Sequence, residues 1–243
     1  MKLAGTLILL MLLTLSIIIA LIIFGPSLSM NTQGRRARVL QTASDYLNEK
    51  YEEEMVIISI NAFSGPFSDA FYHVNYHRIS DPDTVFLLRV RWNGYDVLDD
   101  NFFNVILENQ VDDVFRDYIR SIWGEETVFR VHLTQGRIEA IYPDINERTR
   151  FEDVKHLFAE FSRYNFSIRP SIVLSDTNKY EEAQKVLDFF EIIKEKGHSP
   201  GWIALSYLNP NQTDGDGLSI FFRRWKEITT DEQVLSYFDA IID

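Results

Sequence analysis

The chain reads as an α+β protein: an N-terminal transmembrane helix followed by two small domains, each an antiparallel sheet with helices on one face. Three observations predict this. Leu3–Phe24 is one long apolar run, alternating and helical apolar patterns follow one another after residue 35, and the order of elements starts afresh at Glu125. The expected organisation is an anchor over 3–24, a linker over 25–35, a first domain over 36–124 and a second over 125–243.

Between Lys2 and Arg35 no residue is charged, and Gly5, Thr6, Thr14 and Ser16 are the small polar breaks in the run. As a helix the run would be roughly 33 Å long, matching a hydrocarbon layer of about 30 Å. Ser27-Leu28-Ser29 is a passable cleavage site, but both its site residues are Ser instead of the better Ala and a cleavable signal peptide has a shorter apolar core, so the run reads as an uncleaved anchor. The absence of Cys excludes a lipidated cysteine. Counting positive flanks, Lys2 against Arg35, Arg36 and Arg38, would place the domains in the cytoplasm. A two-residue tail before a long apolar run is instead the usual form of a signal anchor, and the arginines belong to the first folded helix. The reading is therefore N-in, C-out: a single-pass protein of the cell membrane with extracytoplasmic domains, its first partner the lipid bilayer through residues 3–24.

With 46% hydrophobic and 14% aromatic residues, the remainder can bury two small cores. The net charge is −12 and there is no Lys/Arg-rich run, so no nucleic-acid partner is expected. Lack of Cys removes disulfides, thiolate zinc sites and Cys nucleophiles together. No G-x-S-x-G, H-E-x-x-H, P-loop or dinucleotide glycine pattern occurs, so no catalytic residue, metal site or cofactor is assigned.

In the first domain Val39, Leu40, Ala43, Leu47 and Tyr51 recur at helical spacing over 34–54. Met55–Phe63 reads as a strand with Ile58, Ile60 and Ala62 on one side. Ala70–Ile79 alternates, with Tyr72, Val74 and Tyr76 against Phe71, His73, Asn75 and His77. Thr84–Trp92 follows the Asp81-Pro82-Asp83 turn, Asn93-Gly94 signals a hairpin, and Tyr95–Leu98 makes a fourth strand. Asp100 or Asn101 caps a helix to Trp123, on which Phe103, Leu107, Val111, Val114, Tyr118 and Ile122 form the apolar stripe.

In the second domain Val128–Leu133 and Ile138–Tyr142 predict a hairpin around Gln135-Gly136. Thr149 and Glu152 have the form of a capping box opening a helix. Phe166–Leu174 predicts a strand that Pro170 confines to an edge or a bulge. A helix over 180–196 stops at Gly197, Gly201–Leu208 and Leu218–Trp225 form a hairpin, and Thr230 with Gln233 opens a last helix.

The candidate binding residues are His73, Asn75, His77, Arg89 and Arg91. A turn of three or five residues after the second strand sets the histidines beside the arginines, a cationic face for an acidic partner or an anion. A turn of two or four residues places them on the side of Phe86, Leu88 and Val90 instead. Asp214-Gly215-Asp216-Gly217 resembles part of a calcium loop, but the twelfth position is Trp225, so the 209–217 loop is only a second candidate surface. His198 follows Gly197, where a cation suits a helix C-terminus.

YLNEKYEEEMVI (46–57), YHVNYHRISDPDTVFLLRV (72–90) and VLDDNFFNVILENQVDDVF (97–115) resemble uncharacterised membrane- or lipid-anchored envelope proteins of Gram-positive bacteria, in which a YL-x-EKY helix precedes a curled antiparallel sheet. The resemblance covers about residues 40–120. It implies an envelope location and assigns neither activity nor functional residues. The expected function is thus a membrane-anchored, non-catalytic binding module at the cell envelope, with another envelope protein or a peptide as partner. The alternative is an envelope hydrolase whose Asp/Glu/His site assembles only in the fold.

Overall fold

The computed structural model describes residues 11–16, 33–63, 70–93, 95–133, 138, 142, 144–159, 164–208 and 217–242. Of the expected anchor only 11–16 fall among these. They are helical, with Met11, Leu12, Leu13 and Leu15 each more than half exposed. Among the described residues no helix is long and apolar enough to cross a membrane. The rest is mixed α and β in two compact units, Met1–Phe102 and Phe103–Asp243.

The first unit holds α1 (Gln33–Lys50) and the strands β1 (Met55–Phe63), β2 (Phe71–Arg78), β3 (Asp81–Arg91) and β4 (Val97–Asp100). The strands pair antiparallel in the order β1-β2-β3-β4. Alternation decides what is buried. Tyr72, Val74, Tyr76, Phe86, Leu88 and Val90 are wholly inaccessible, sharing a core with Val39, Ala43, Leu47 and Tyr51 of the α1 side. In β1 the pairing slips between Ile57 and Ser59, and Ile58 is 52% exposed while Ile60 and Ala62, grouped with it by alternation, are half-buried.

The register between β2 and β3 settles which alternative the histidines follow. The connection is short, since Arg78 pairs with Asp81. Tyr76 nevertheless pairs with Phe86, so β3 advances five residues while β2 advances two. That irregularity reverses the phase a two-residue turn would impose, and His73 comes to lie opposite Arg89. After β3 the chain turns back through Tyr95, which takes the left-handed conformation (φ +55°) rare for a residue with a side chain.

The helix expected to close the first domain belongs to the second unit. This is α2 (Phe102–Trp123), and from Phe103 onward it packs there. Asp100 accepts the Phe102 N–H as a cap, whereas Asn101 accepts the Leu87 N–H of β3. The buried stripe runs through Phe103, Leu107, Val111, Phe115, Ile119 and Trp123, and Tyr118 is 36% exposed. Phe115 explains the switch: its ring meets Phe129, Phe166, Phe189 and His198.

The second unit continues with β5 (Val128–Leu133), α3 (Phe151–Ala159), β6 (Tyr164–Arg169), α4 (Lys179–Glu195), β7 (Ile203–Tyr207), β8 (Leu218–Phe222), a 3-10 turn over Trp225–Glu227 and α5 (Asp231–Ile242). Its sheet, in the order β5-β6-β7-β8, is mixed and not antiparallel throughout, because β6 and β7 run parallel on either side of α4. Of the expected hairpin of Val128–Leu133 with Ile138–Tyr142, the turn and most of the second strand lie outside the described residues; β5 pairs with β6, and the Tyr142 N–H donates to the Ile138 carbonyl. β6 ends at Arg169, since Pro170 has no N–H to continue the ladder, and is an interior strand rather than an edge.

The Thr149 capping box is also absent. Its hydroxyl accepts the Asn146 N–H, and Gln110 of α2 accepts the Phe151 N–H. The box at Thr230 does form, with Gln233 accepting the Thr230 N–H and Thr230 accepting that of Gln233. The helices α2 to α5 press aromatic rings onto one sheet face: Phe115 and Phe189 on Phe166, Phe151 on Tyr164, Phe190 on Phe222 and Phe238 on Tyr207.

Candidate functional site

The face of the first sheet opposite its buried Tyr72, Val74 and Tyr76 carries the residues singled out in the sequence, most of them half-buried and Arg91 exposed. His73 lies between Asn61 of β1 and Arg89 of β3, Asn75 between Ser59 and Leu87, and Arg91 opposite Phe71. His77 faces Val56 of β1, beside the irregular part of β3. The fold thus joins His73 to Arg89 and separates His77 from Arg91.

Two aromatic residues and an acid complete the group. Phe63 and Phe71 stack at 4.9 Å, and the His73 ring lies 5.8 Å from Phe63 and 5.0 Å from Phe71. The Arg89 guanidinium sits 5.5 Å over the Phe71 ring, while its Nε donates to both Asp99 oxygens at 2.8 Å. Asp99 neutralises Arg89 from the neighbouring strand. The face is consequently aromatic and charge-paired, not the cationic surface expected. Burial lowers the His73 pKa, Arg89 lowers it further and Asp99 opposes both, so this ring is neutral at neutral pH. Asn75 donates to Ser59 at 3.0 Å, and His77 Nδ1 lies 2.7 Å from the Arg78 carbonyl. Phe63 is 50% exposed at the edge of the stack.

A second grouping, missed in the sequence, lies in the second unit between α2 and the edge strand β5. A cleft of about 290 Å³ is lined by Glu108, Asn109, Asp112, Phe129, Arg130 and His132 among others. Glu108 accepts the Leu133 N–H at 2.7 Å, covering a group that the sheet edge leaves unpaired. Burial pushes the Glu108 carboxyl up to about 7, against the lowering effect of that hydrogen bond. Burial likewise raises Asp112, although Arg116 pairs with it, and burial then Arg130 lower His132. The i, i+4 spacing of Glu108 and Asp112 was the one available signal, and nothing in the sequence places His132 beside them.

His198, read in the sequence as a cation suited to a helix end, is buried. Its side chain is 1% exposed, Nε2 lies 3.2 Å from Glu152, and its ring is surrounded by Phe115, Phe151 and Tyr164. Burial lowers its pKa, an effect Glu152 only partly offsets. The 209–217 loop lies outside the described residues except for Gly217. Among the described residues no three His, Cys, Asp or Glu side chains are placed to hold a metal ion.

No protein-family model and no curated protein matches the sequence. The chain is similar to the crystal structure of a DUF5037 family protein from Ruminococcus gnavus, with 15% identity and a TM-score of 0.44 over 69% of this chain and 73% of that one. A likeness at that score carries no argument about function.

Proposed function

We propose that the protein is a membrane-tethered, extracytoplasmic binding module that holds another envelope protein or peptide on the open face of its first sheet. The observation that carries this reading is the Phe63–Phe71–His73–Arg89 stack, at whose edge Phe63 is half exposed. Rigid aromatic rings beside a charge-paired arginine are the side chains that dominate binding energy at protein interfaces. Tethering is supported by the apolar run 3–24 and by the exposure of Met11, Leu12, Leu13 and Leu15, which calls for an apolar cover. A photo-crosslinking residue at His73 of the full-length chain in intact cells tests the surface. A discrete adduct that disappears when Phe63 and Phe71 are changed to Ala is expected. No adduct, or the same adducts from a crosslinker at Gln41 on α1, overturns it.

The cleft at Glu108, Asp112 and His132 favours a second reading, an envelope hydrolase. A carboxyl titrating near neutrality can serve as a general acid or base. Turnover of ester or amide substrates that is abolished by Glu108→Gln supports it. Turnover unchanged in that variant removes Glu108 from the chemistry.

A further inference from the structure

The C-terminus of α4 fixes where His198 enters the second unit. Gly197 takes the left-handed conformation (φ +68°), its N–H returns to the Lys194 carbonyl, and the His198 N–H returns to that of Ile193. The residues that follow are tied as firmly. Ser199 donates its N–H to the Tyr164 hydroxyl, and the Trp225 indole donates to the Pro200 carbonyl. The imidazole is thereby held in a cage of rings. It lies 4.9 Å from Phe115 of α2, 6.2 Å from Tyr164 of β6 and 5.8 Å from Phe151 of α3, to which it is nearly parallel at 10°.

The geometry fixes the tautomer. Glu152 is half exposed and pairs with Lys155 at 2.6 Å, so it is ionised and can only accept. Nε2, 3.2 Å from that carboxylate, therefore carries the hydrogen. Nδ1 is left as a bare lone pair, buried and without a hydrogen-bond partner among the described residues. The other charges that face the ring are cations, Lys155 of α3 and Lys196 at the end of α4, and the Tyr164 hydroxyl is engaged by Ser199. A proton added at Nδ1 makes a buried cation whose new N–H meets no acceptor, an arrangement that a protein interior penalises heavily. Relief requires that water reach Nδ1. The backbone that carries His198 is held by the hydrogen bonds just named. Its lid is α3, nine residues closed onto the ring by the Phe151 stack and the Glu152 contact, and tied at its start by Gln110, which accepts the Phe151 N–H and donates to the Thr149 carbonyl.

We infer that His198 is a proton-operated latch: a proton taken up at Nδ1 releases α3 from the aromatic cage, so that the second unit is closed at neutral pH and opens at α3 as the pH falls toward about 5. The inference stands apart from the surface proposed on the first sheet. Burial depresses the His198 pKa, so the closed state rejects a proton that an opened, solvated ring accepts near pH 6.5.

Hydrogen exchange of the full-length chain in detergent, read between pH 7.5 and 5 and normalised for the intrinsic rate at each pH, tests the latch. Protection over residues 152–159 should fall by as much as about tenfold for each pH unit below 6.5, one proton being taken up per opening, while β7 keeps its protection. His198→Phe fills the cage without a titrating nitrogen, and His198→Gln is polar but uncharged; both should abolish the pH dependence. The two variants also separate His198 from the exposed His156 on α3 and from Glu108, whose carboxyl titrates near about 7 with the opposite sign. Protection over 152–159 that is the same at both ends of the range overturns the latch. Equal loss over α3 and β7 makes the acid effect global unfolding and removes the local opening. A pH dependence retained in a variant whose near-ultraviolet dichroism matches that of the unaltered chain assigns the proton to another group and overturns the role of His198.

Discussion

At Asp100 one carboxylate, 2% exposed, accepts the Tyr51 and Tyr76 hydroxyls at 2.6 Å each, the Phe102 N–H at 3.0 Å and the Lys50 ammonium at 3.3 Å. Burial pushes both tyrosines well above their ordinary pKa, and the neighbouring Asp100 charge adds to it. Replacing Asp100 with Ala removes the buried acceptor that these four donors share, and urea unfolding should show a loss of about 3–5 kcal/mol. Asp100→Asn, which keeps an acceptor, should cost less.

Glu108 makes a prediction with a sign. Its folded pKa, about 7, lies above the ordinary 4.5, so the native state holds the proton more tightly than the unfolded chain. Its contribution is full below pH 4.5 and is lost as pH rises through about 7. Glu108→Gln should flatten that decline, which amounts to as much as about 3 kcal/mol. His198 works in the opposite direction: its depressed pKa favours folding above about pH 6.5, and that contribution is lost on acidification. Thermal melts of the unaltered chain and of Glu108→Gln across pH 4–8 separate the two slopes.

Among the elements, α2 shows how a helix with apolar residues on several sides selects one stripe. Val114 and Tyr118 fit the four-residue spacing as well as Phe115 and Ile119 do, yet Phe115 and Ile119 are wholly buried. Phe115→Ala should cost about 3–5 kcal/mol and Tyr118→Ala less than about 1 kcal/mol, as measured by denaturant midpoints. The opposite pattern would mean that the helix is turned about its axis. In the first sheet the decisive event is the uneven advance of β3 past β2 between Arg78 and Tyr76. Alternation within each strand was legible, but the phase between strands was not, because it depends on an irregularity that no local pattern encodes.

For the molecule as a whole, the anchor reading predicts that the full-length chain sediments with membranes and is released by detergent. A chain lacking residues 1–30 should stay in aqueous solution with an unchanged melting temperature. Release of the full-length chain by salt or alkali alone would remove the anchor. A two-domain organisation was legible because the element order restarts near Glu125. The unit boundary nevertheless falls at Phe102/Phe103, since the partners of α2's aromatic stripe come from β5, β6, α4 and the Trp123–Glu182 hydrogen bond.

The sequence by itself determined the helices α1 to α5, most strands, the inward residues of β2 and β3 and the composition of the leading apolar run, because these depend on neighbours one to four positions apart. Tertiary structure alone decided that His73 meets Arg89, that Asp99 cancels its charge, that Phe63 and Phe71 form the exposed stack, and that Glu108 shares a cleft with His132. Each of those pairings joins residues from different elements, and their partners are set by register and burial, which no short stretch of chain specifies.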